Sequence, residues 1–243
     1  MITFGILALN EEDQVGTVIE NIIETSQLYP DVDFEIIPVD DGSTDNTYAI
    51  MLDYAKRFDF VKPVKHNKNK GPGAIATTII KNASHPKVCF INGDNNVGFS
   101  MYQSTFKYCR EDLLVCYYFV NTEVRSKFRI LLSQAYNQLC MVLFNVHLRY
   151  INGGAIYSTE LLRGFNIKSY GFVFLIEITA KTLLSGVKFF EVPCFFSSEH
   201  DKSVSLKFRN IIKTFYDLIL VYLDIKFINK DKYSLTPERV LRF

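Results

Sequence analysis

The sequence predicts an α/β fold, a Rossmann-like, mostly parallel sheet with helices on both faces. Three observations predict it. Short apolar runs alternate with amphipathic stretches in the order β-α-β-α-β-α-β over residues 2 to 92. Glycine-rich or acidic turns separate them. Three of the apolar runs end in polar clusters: Asn10-Glu11, Asp40-Asp41 and Asn92-Gly93-Asp94. In such sheets ligands sit beyond the carboxyl ends of the strands, so the clusters are expected to converge on one rim.

Each element has its own signal. "ITFGILAL" is a short apolar run, hence a buried strand. In "NEEDQVGTVIENIIETSQL", Val15, Val18, Ile19, Ile22 and Ile23 fall at helical spacing behind an acidic first turn. "DFEIIPVDD" is a second strand. "STDNTYAIMLDYAKRF" is a second helix, with Ser43 or Thr44 as its expected cap. "VKPVKHN" follows as a third strand, "NKGPGAIATTIIKNA" as a glycine-rich loop entering a helix, and "KVCFINGDNN" as a fourth strand.

The second half reads differently. No Asp or Glu occurs from Arg125 to Thr159, and a long apolar helix pattern runs from Ser126 to Tyr150. "GFVFLIEITAKTLLSGVKFFEVPCFF" reads as a helix, a turn at Gly186 and a strand. From Lys202 onward there are nine lysines and arginines against four acids. An apolar, basic-flanked pattern, Ser205 to Ile228, lies there, interrupted by Asp217 and Asp224.

Bulk composition narrows the function. The 243 residues are 48% hydrophobic and 22% charged, which is globular. A formal charge of +1 gives no reason to expect a nucleic-acid partner. Five cysteines, with no C-x-x-C and no zinc spacing, suggest reduced, buried thiols and a cytoplasmic setting. "MITFGILALNEED" reads as a first strand and not a signal peptide.

The paired carboxylates of "PVDDGSTDNT" need a reason, because burying charge is costly. Capping of the next helix would explain a lone Asp-Asp-Gly-Ser. Three converging clusters argue instead for a ligand such as a nucleotide-sugar. Carboxylates at the second strand can accept from base and ribose. One at the fourth can hold a divalent metal that bridges a diphosphate.

Together "LALNEEDQVGTVIENI", "VDDGSTDNT", "NKGPGAIATTI", "FINGDNN" and "GFVFLIEITAKTLLSGVKFFEVP" resemble a family 2, GT-A-fold glycosyltransferase. The later blocks resemble its dolichyl- or polyprenyl-phosphate sugar transferase branch. The resemblance implies a glycosyltransferase domain over residues 1–204, its nucleotide-sugar half at about 1–100 and its acceptor half at about 101–204. A basic amphipathic helical segment, 205–243, would follow. The implied reaction is inverting transfer of a sugar from a UDP- or GDP-sugar to polyprenyl or dolichyl phosphate. Alternatives are a glycan or lipid-linked oligosaccharide acceptor, or a non-catalytic nucleotide-sugar-binding subunit.

The resemblance also implies roles. Ala8, Asn10, Glu11, Asp40, Asp41, Lys70, Gly71, Asn92 and Asp94 would bind the donor. Asp94, with Asn92 and Asn96, would hold Mg²⁺ or Mn²⁺; Asn92 stands where the family usually has its first Asp. Asp94 and Glu177 are the catalytic candidates, Glu177 as a general base or an acceptor-positioning group. Arg125 and Arg129, four apart on one expected helix face, and His200 and Lys202 would hold the acceptor phosphate. The two apolar helix patterns suggest docking on the cytosolic face of a membrane; packing as core, or contact with a membrane-protein partner or second copy, is the alternative.

Overall fold

The computed structural model of the chain describes residues 1–197 and 208–241. The first half follows the expected order: β1 (Ile2–Ala8), α1 (Val15–Ser26), β2 (Phe34–Asp40), α2 (Thr47–Arg57), β3 (Val64–Lys65), α3 (Pro72–Asn82) and β4 (Lys87–Asn92). Then come α4 (Phe99–Tyr108), β5 (Leu114–Phe119), α5 (Lys127–Phe144), β6 (Ala155–Ser158), α6 (Thr159–Arg163), α7 (Phe174–Leu184), β7 (Phe189–Cys194) and α8 (Phe208–Leu223). The strands form one sheet in the order β3-β2-β1-β4-β6-β5-β7. All neighbours are parallel except β6, which runs antiparallel to β4 and β5.

Strand alternation divides the core into two layers. Phe4, Ile6 and Ile36 face α1, α2 and α4. Leu7, Ile37 and Val39 face the opposite layer, which includes α3, α5, α7 and α8. Gly5 lets α3 approach β1, because a Cβ there would lie 2.5 Å from Ile79 Cγ2. The cysteines are all buried and unpaired.

Several boundaries differ from the sequence reading, each for a polar reason. The acids before α1 lie in the turn ahead of it, not in its first turn. Glu12 there accepts from the Asn46 backbone and side-chain amides at 3.0 and 2.9 Å. Neither Ser43 nor Thr44 caps α2. Ser43 Oγ accepts from Asn10 N (2.9 Å), and Thr44 N donates to Asn10 Oδ1 (2.9 Å). Asp45 instead accepts from Thr47 N at 3.0 Å as α2 begins. The helix expected to reach Tyr150 stops at Phe144, where Asn145 turns left-handed. Ser126 caps its start, so Arg125 lies outside the helix and shares no helix face with Arg129.

Described residues after 207 pack on the core of the sheet. Leu218, Val221, Ile225 and Tyr233 join the layer under α3 and α7. A wider π-type turn, Asp224–Ile228, ends α8. Phe189 N donates to Glu238 O (3.0 Å) and Val240 N to Phe189 O (2.7 Å), fastening the last described residues to β7.

Glu35 braces the sheet's other end. Its buried carboxylate accepts from Thr3 Oγ1 (2.7 Å), Ser84 N (2.6 Å) and Lys62 Nζ (2.7 Å). Burial alone would raise its pKa, but the bonds from Lys62, Ser84 and Thr3 win and hold it at about 2. A depressed folded-state pKa gives stability that is present above the unfolded value and lost as pH falls toward 2. Glu35→Gln is therefore expected to lose roughly 2 kcal/mol at neutral pH, with the deficit shrinking between about pH 5 and pH 2. Urea midpoints across that range check this; a pH-independent deficit would contradict it.

Candidate active site

The three polar clusters occupy one row of the sheet. Ala8 pairs with Asp40 across β1 and β2, and Leu7 with Asn92 across β1 and β4. Asp41 N donates to Ala8 O (2.9 Å) and Gly93 N to Leu7 O (2.8 Å). The rim thus opens above β1, where the chain order reverses on its two sides, the usual ligand position in such a sheet.

The adjacent aspartates have different tasks. Asp40 is fully buried, and its Oδ1 accepts from Ser43 N at 2.9 Å. Its Oδ2 has no hydrogen-bond partner, and Lys65 Nζ stands 3.7 Å away. A buried carboxylate oxygen so placed can accept from a ligand N–H or O–H. Asp41 faces into the protein. It accepts from Lys70 N (3.0 Å), Gly71 N (2.7 Å) and His66 Nδ1 (2.6 Å). His66 Nε2 lies 2.8 Å from Thr78 Oγ1 on α3. The carboxylate thereby fixes the glycine-rich loop at the entrance to α3.

The shape of that loop requires glycine. Gly71 has φ +94°, and a Cβ there or on Gly73 would collide with the Tyr170 or Ser169 carbonyl. Gly73 N donates to Tyr170 O at 3.2 Å. The loop therefore rests directly on the segment before α7.

The turn after β4 carries the candidate metal donors. Asp94 accepts from Asn96 N (3.3 Å) and Asn96 Nδ2 (3.1 Å), while Asn92 is exposed at the strand end. Among the described residues no group of three or more His, Cys, Asp or Glu could hold a metal. The available set is one carboxylate with amide oxygens, all hard donors. Glu11, whose N donates to Thr47 Oγ1 (2.8 Å), lies close enough to feel Asp94. Burial, then Asp94, Asp45 and Asp13, push its carboxyl up to about 7. Burial first, and the neighbouring carboxylates after it, thus disfavour a negative charge on Glu11.

Glu177 is not turned toward a substrate. It is fully buried, and both its oxygens are occupied. Oε1 accepts from Lys168 N (2.8 Å) and pairs with Lys181 Nζ (2.6 Å); Oε2 accepts from Ser169 N (2.8 Å). The buried Lys181 also pairs with Asp224 at 2.8 Å. Asp217 on α8 accepts from Ser169 Oγ (2.9 Å) and Gly171 N (3.2 Å). These bonds shape the segment on which the glycine loop rests. A general-base role for Glu177 does not fit this geometry, whereas a positioning role does.

Of the expected acceptor residues, Arg125 lies over Phe196, its Cζ 3.5 Å from the ring centroid. Phe196 stacks on Phe119 at 3.9 Å and is clamped by Asn121 through both backbone groups. Ser197 N donates to Asn96 O (3.1 Å), so this stack adjoins the Asp94 turn. Arg129 sits in the first turn of α5. His200 and Lys202 lie outside the described residues.

Sequence reasoning missed His66, Lys181, Phe196 and the inward roles of Asp217 and Asp224. One signal was present: Glu177 and Lys181 stand four apart on an otherwise apolar helix.

The model of the family described as glycosyl transferase family 2 matches residues 3–165, more than half of the chain. The chain belongs to glycosyl transferase family 2. A poly(ribitol-phosphate) beta-glucosyltransferase of Bacillus spizizenii is 30% identical over 112 residues, 46% of this chain and 17% of that protein. A dolichyl-phosphate beta-glucosyltransferase of Trichomonas vaginalis is 31% identical over 97 residues, 38% of this chain and 30% of that protein. The matches thus span under a third of either relative. A glucosyl-3-phosphoglycerate synthase from Mycobacterium tuberculosis, crystallised with Mn²⁺, UDP-glucose and phosphoglyceric acid, superposes with a TM-score of 0.65. It is 17% identical, and the match covers 91% of this chain and 79% of that one. The likeness is in the GT-A fold.

Two substitutions test the bracing roles. Asp41→Asn places an amide against two N–H donors, so exchange of the Lys70 and Gly71 amides should quicken about tenfold or more. Unchanged protection by hydrogen-exchange mass spectrometry would remove Asp41 as the brace. Glu177→Gln leaves Lys181 buried with one partner fewer and should cost about 3 kcal/mol in chemical denaturation. Full stability with lost turnover would return Glu177 to a role on the substrate.

Proposed function

We propose that this family 2 glycosyltransferase moves a sugar from a UDP- or GDP-sugar to the phosphate of a polyprenyl or dolichyl lipid, inverting the anomeric centre. The observation that carries the acceptor reading is the closure of Glu177. A sugar hydroxyl needs its proton removed as it attacks; a phosphate is already anionic and needs no base. The candidate base, Glu177, is bonded through both oxygens, which favours the phosphate. The dolichyl-phosphate relative supports the same class.

On this reading Asp40 Oδ2 accepts from the nucleotide base, and Asn10, Glu11 and the Ala8 backbone line its pocket. Lys70 and Gly71 stand beside the diphosphate. Asp94, Asn92 and Asn96 offer the oxygen donors that suit Mg²⁺ or Mn²⁺, and a cation there would offset the Asp94 charge that, after burial, disfavours ionised Glu11. A bound divalent ion would act there as a Lewis acid toward the diphosphate. The acceptor phosphate oxygen forms the new bond to the anomeric carbon. The bond from that carbon to the diphosphate breaks, and the nucleoside diphosphate departs with the electron pair. Arg125, held on Phe196, contributes positive charge for the acceptor phosphate, with Arg129, His200 and Lys202 as further candidates. The buried, unpaired cysteines support a reducing, cytoplasmic setting.

Nucleoside diphosphate release from UDP- and GDP-sugars, with Mg²⁺ or Mn²⁺ and a short polyprenyl phosphate, tests the reading. Release should depend on the lipid phosphate and fall about a hundredfold or more in Asp94→Ala. Arg125→Ala should raise the lipid-phosphate KM about tenfold with a smaller change in kcat. Release indifferent to the lipid would point to another acceptor, and donor binding without any turnover to a non-catalytic subunit.

A further inference from the structure

We propose that the outward faces of α8 and α5 form one docking surface for an anionic lipid bilayer. Helix α8 is apolar on two sides. Leu218 and Val221 pack inward, yet Ile212, Phe215, Tyr216, Ile219 and Leu223 are exposed at i, i+3, i+4, i+7 and i+11. That spacing is a full apolar stripe, and among the described residues no element covers it. Helix α5 repeats the pattern with Phe128, Leu131 and Val142, the last 77% exposed. Lys226 Nζ donates to Phe144 O at 3.2 Å, tying the end of α8 to the end of α5. Among the described residues no helix is long and apolar enough to cross a membrane. These faces therefore suit a surface and not a span.

Charge selects the occupant. Both acids of the α8 stretch are turned inward: Asp217 bonds Ser169 and Gly171, and Asp224 pairs with Lys181. The described charges left outward are basic, with Lys213 on α8 and Lys127 on α5. Glu123 and Asp231 lie in turns outside both helices. Two copies of such a face would repel, whereas an anionic headgroup layer meets it with opposite charge. The surface also reaches the rim. Gly171 bonds α8 through Asp217, Tyr170 O accepts from Gly73 N in the glycine loop, and the side chains of Tyr170 and Phe172 between them are exposed. An amphiphile held in a bilayer would therefore present its headgroup beside the donor site. This deepens the lipid-phosphate reading, but it rests on surface chemistry and is tested without turnover.

The experiment is co-sedimentation of the full chain with vesicles of phosphatidylcholine alone or containing phosphatidylglycerol, alongside light scattering. The chain should bind the anionic vesicles, and added salt should weaken that binding. The pair Phe215→Ser with Ile219→Ser should bind about tenfold or more weakly, with unchanged circular dichroism and nucleotide affinity. Lys213→Glu should weaken binding to anionic vesicles only. Wild-type chain left in the supernatant, or equal binding by the double variant, would overturn the proposal. So would a dimer that the double variant dissociates, which would assign the face to a second copy. Vesicle binding without sugar transfer would overturn the acceptor reading and leave this one standing.

Discussion

Lys181 is a fully buried ammonium, and much of the second half of the chain is arranged to keep it paired. An unpaired charge in that position would cost several kcal/mol, so Glu177 and Asp224 are required together. The two carboxylates come from different elements. Glu177 sits one helical turn before Lys181, and Asp224 follows α8. Closing this triad fixes α8 against α7. Glu177 then also receives the Lys168 and Ser169 amides and shapes the loop that meets Gly71 and Gly73. The donor rim is thus held from beneath by a charge network centred on the buried Lys181.

The same constraint separates the chain's carboxylates into two groups. Asp41, Glu177, Asp217 and Asp224 accept backbone amides or pair with buried or half-buried cations and hydroxyls. Asp40, Glu11 and Asp94 remain on the rim, where Asp40 keeps one oxygen without a hydrogen-bond donor. A ligand that brings N–H donors to one end of this rim and a cation to the other would satisfy both. A nucleoside diphosphate with a divalent ion has that chemistry.

The strand–helix order was legible because period and punctuation agree there. Buried runs end at Asn10-Glu11, Asp40-Asp41-Gly42 and Asn92-Gly93, and each run is too short for a helix. The rim was legible for the same reason, since parallel strands bring their carboxyl ends to one edge. What was not legible depended on which partner the fold brings to a polar side chain. Ser43 and Thr44 look like caps until Asn10 takes them. Glu177 looks like a base until Lys181 and the 168–169 amides occupy it. Asp217 and Asp224 look like interruptions of an apolar helix until the opposite face proves to be the exposed one. The reversed strand β6 gave no local signal, because four residues flanked by glycines and a helix read equally well in either direction.

The most direct test of the donor-site assignment is anomalous diffraction at the manganese edge from crystals grown with Mn²⁺ and UDP or GDP. The account predicts one strong peak at Asp94, a diphosphate beside Lys70 and Gly71, and Glu177 still bonded to Lys181. A nucleotide on another face, or Glu177 released from Lys181 and turned toward the ligand, would contradict it.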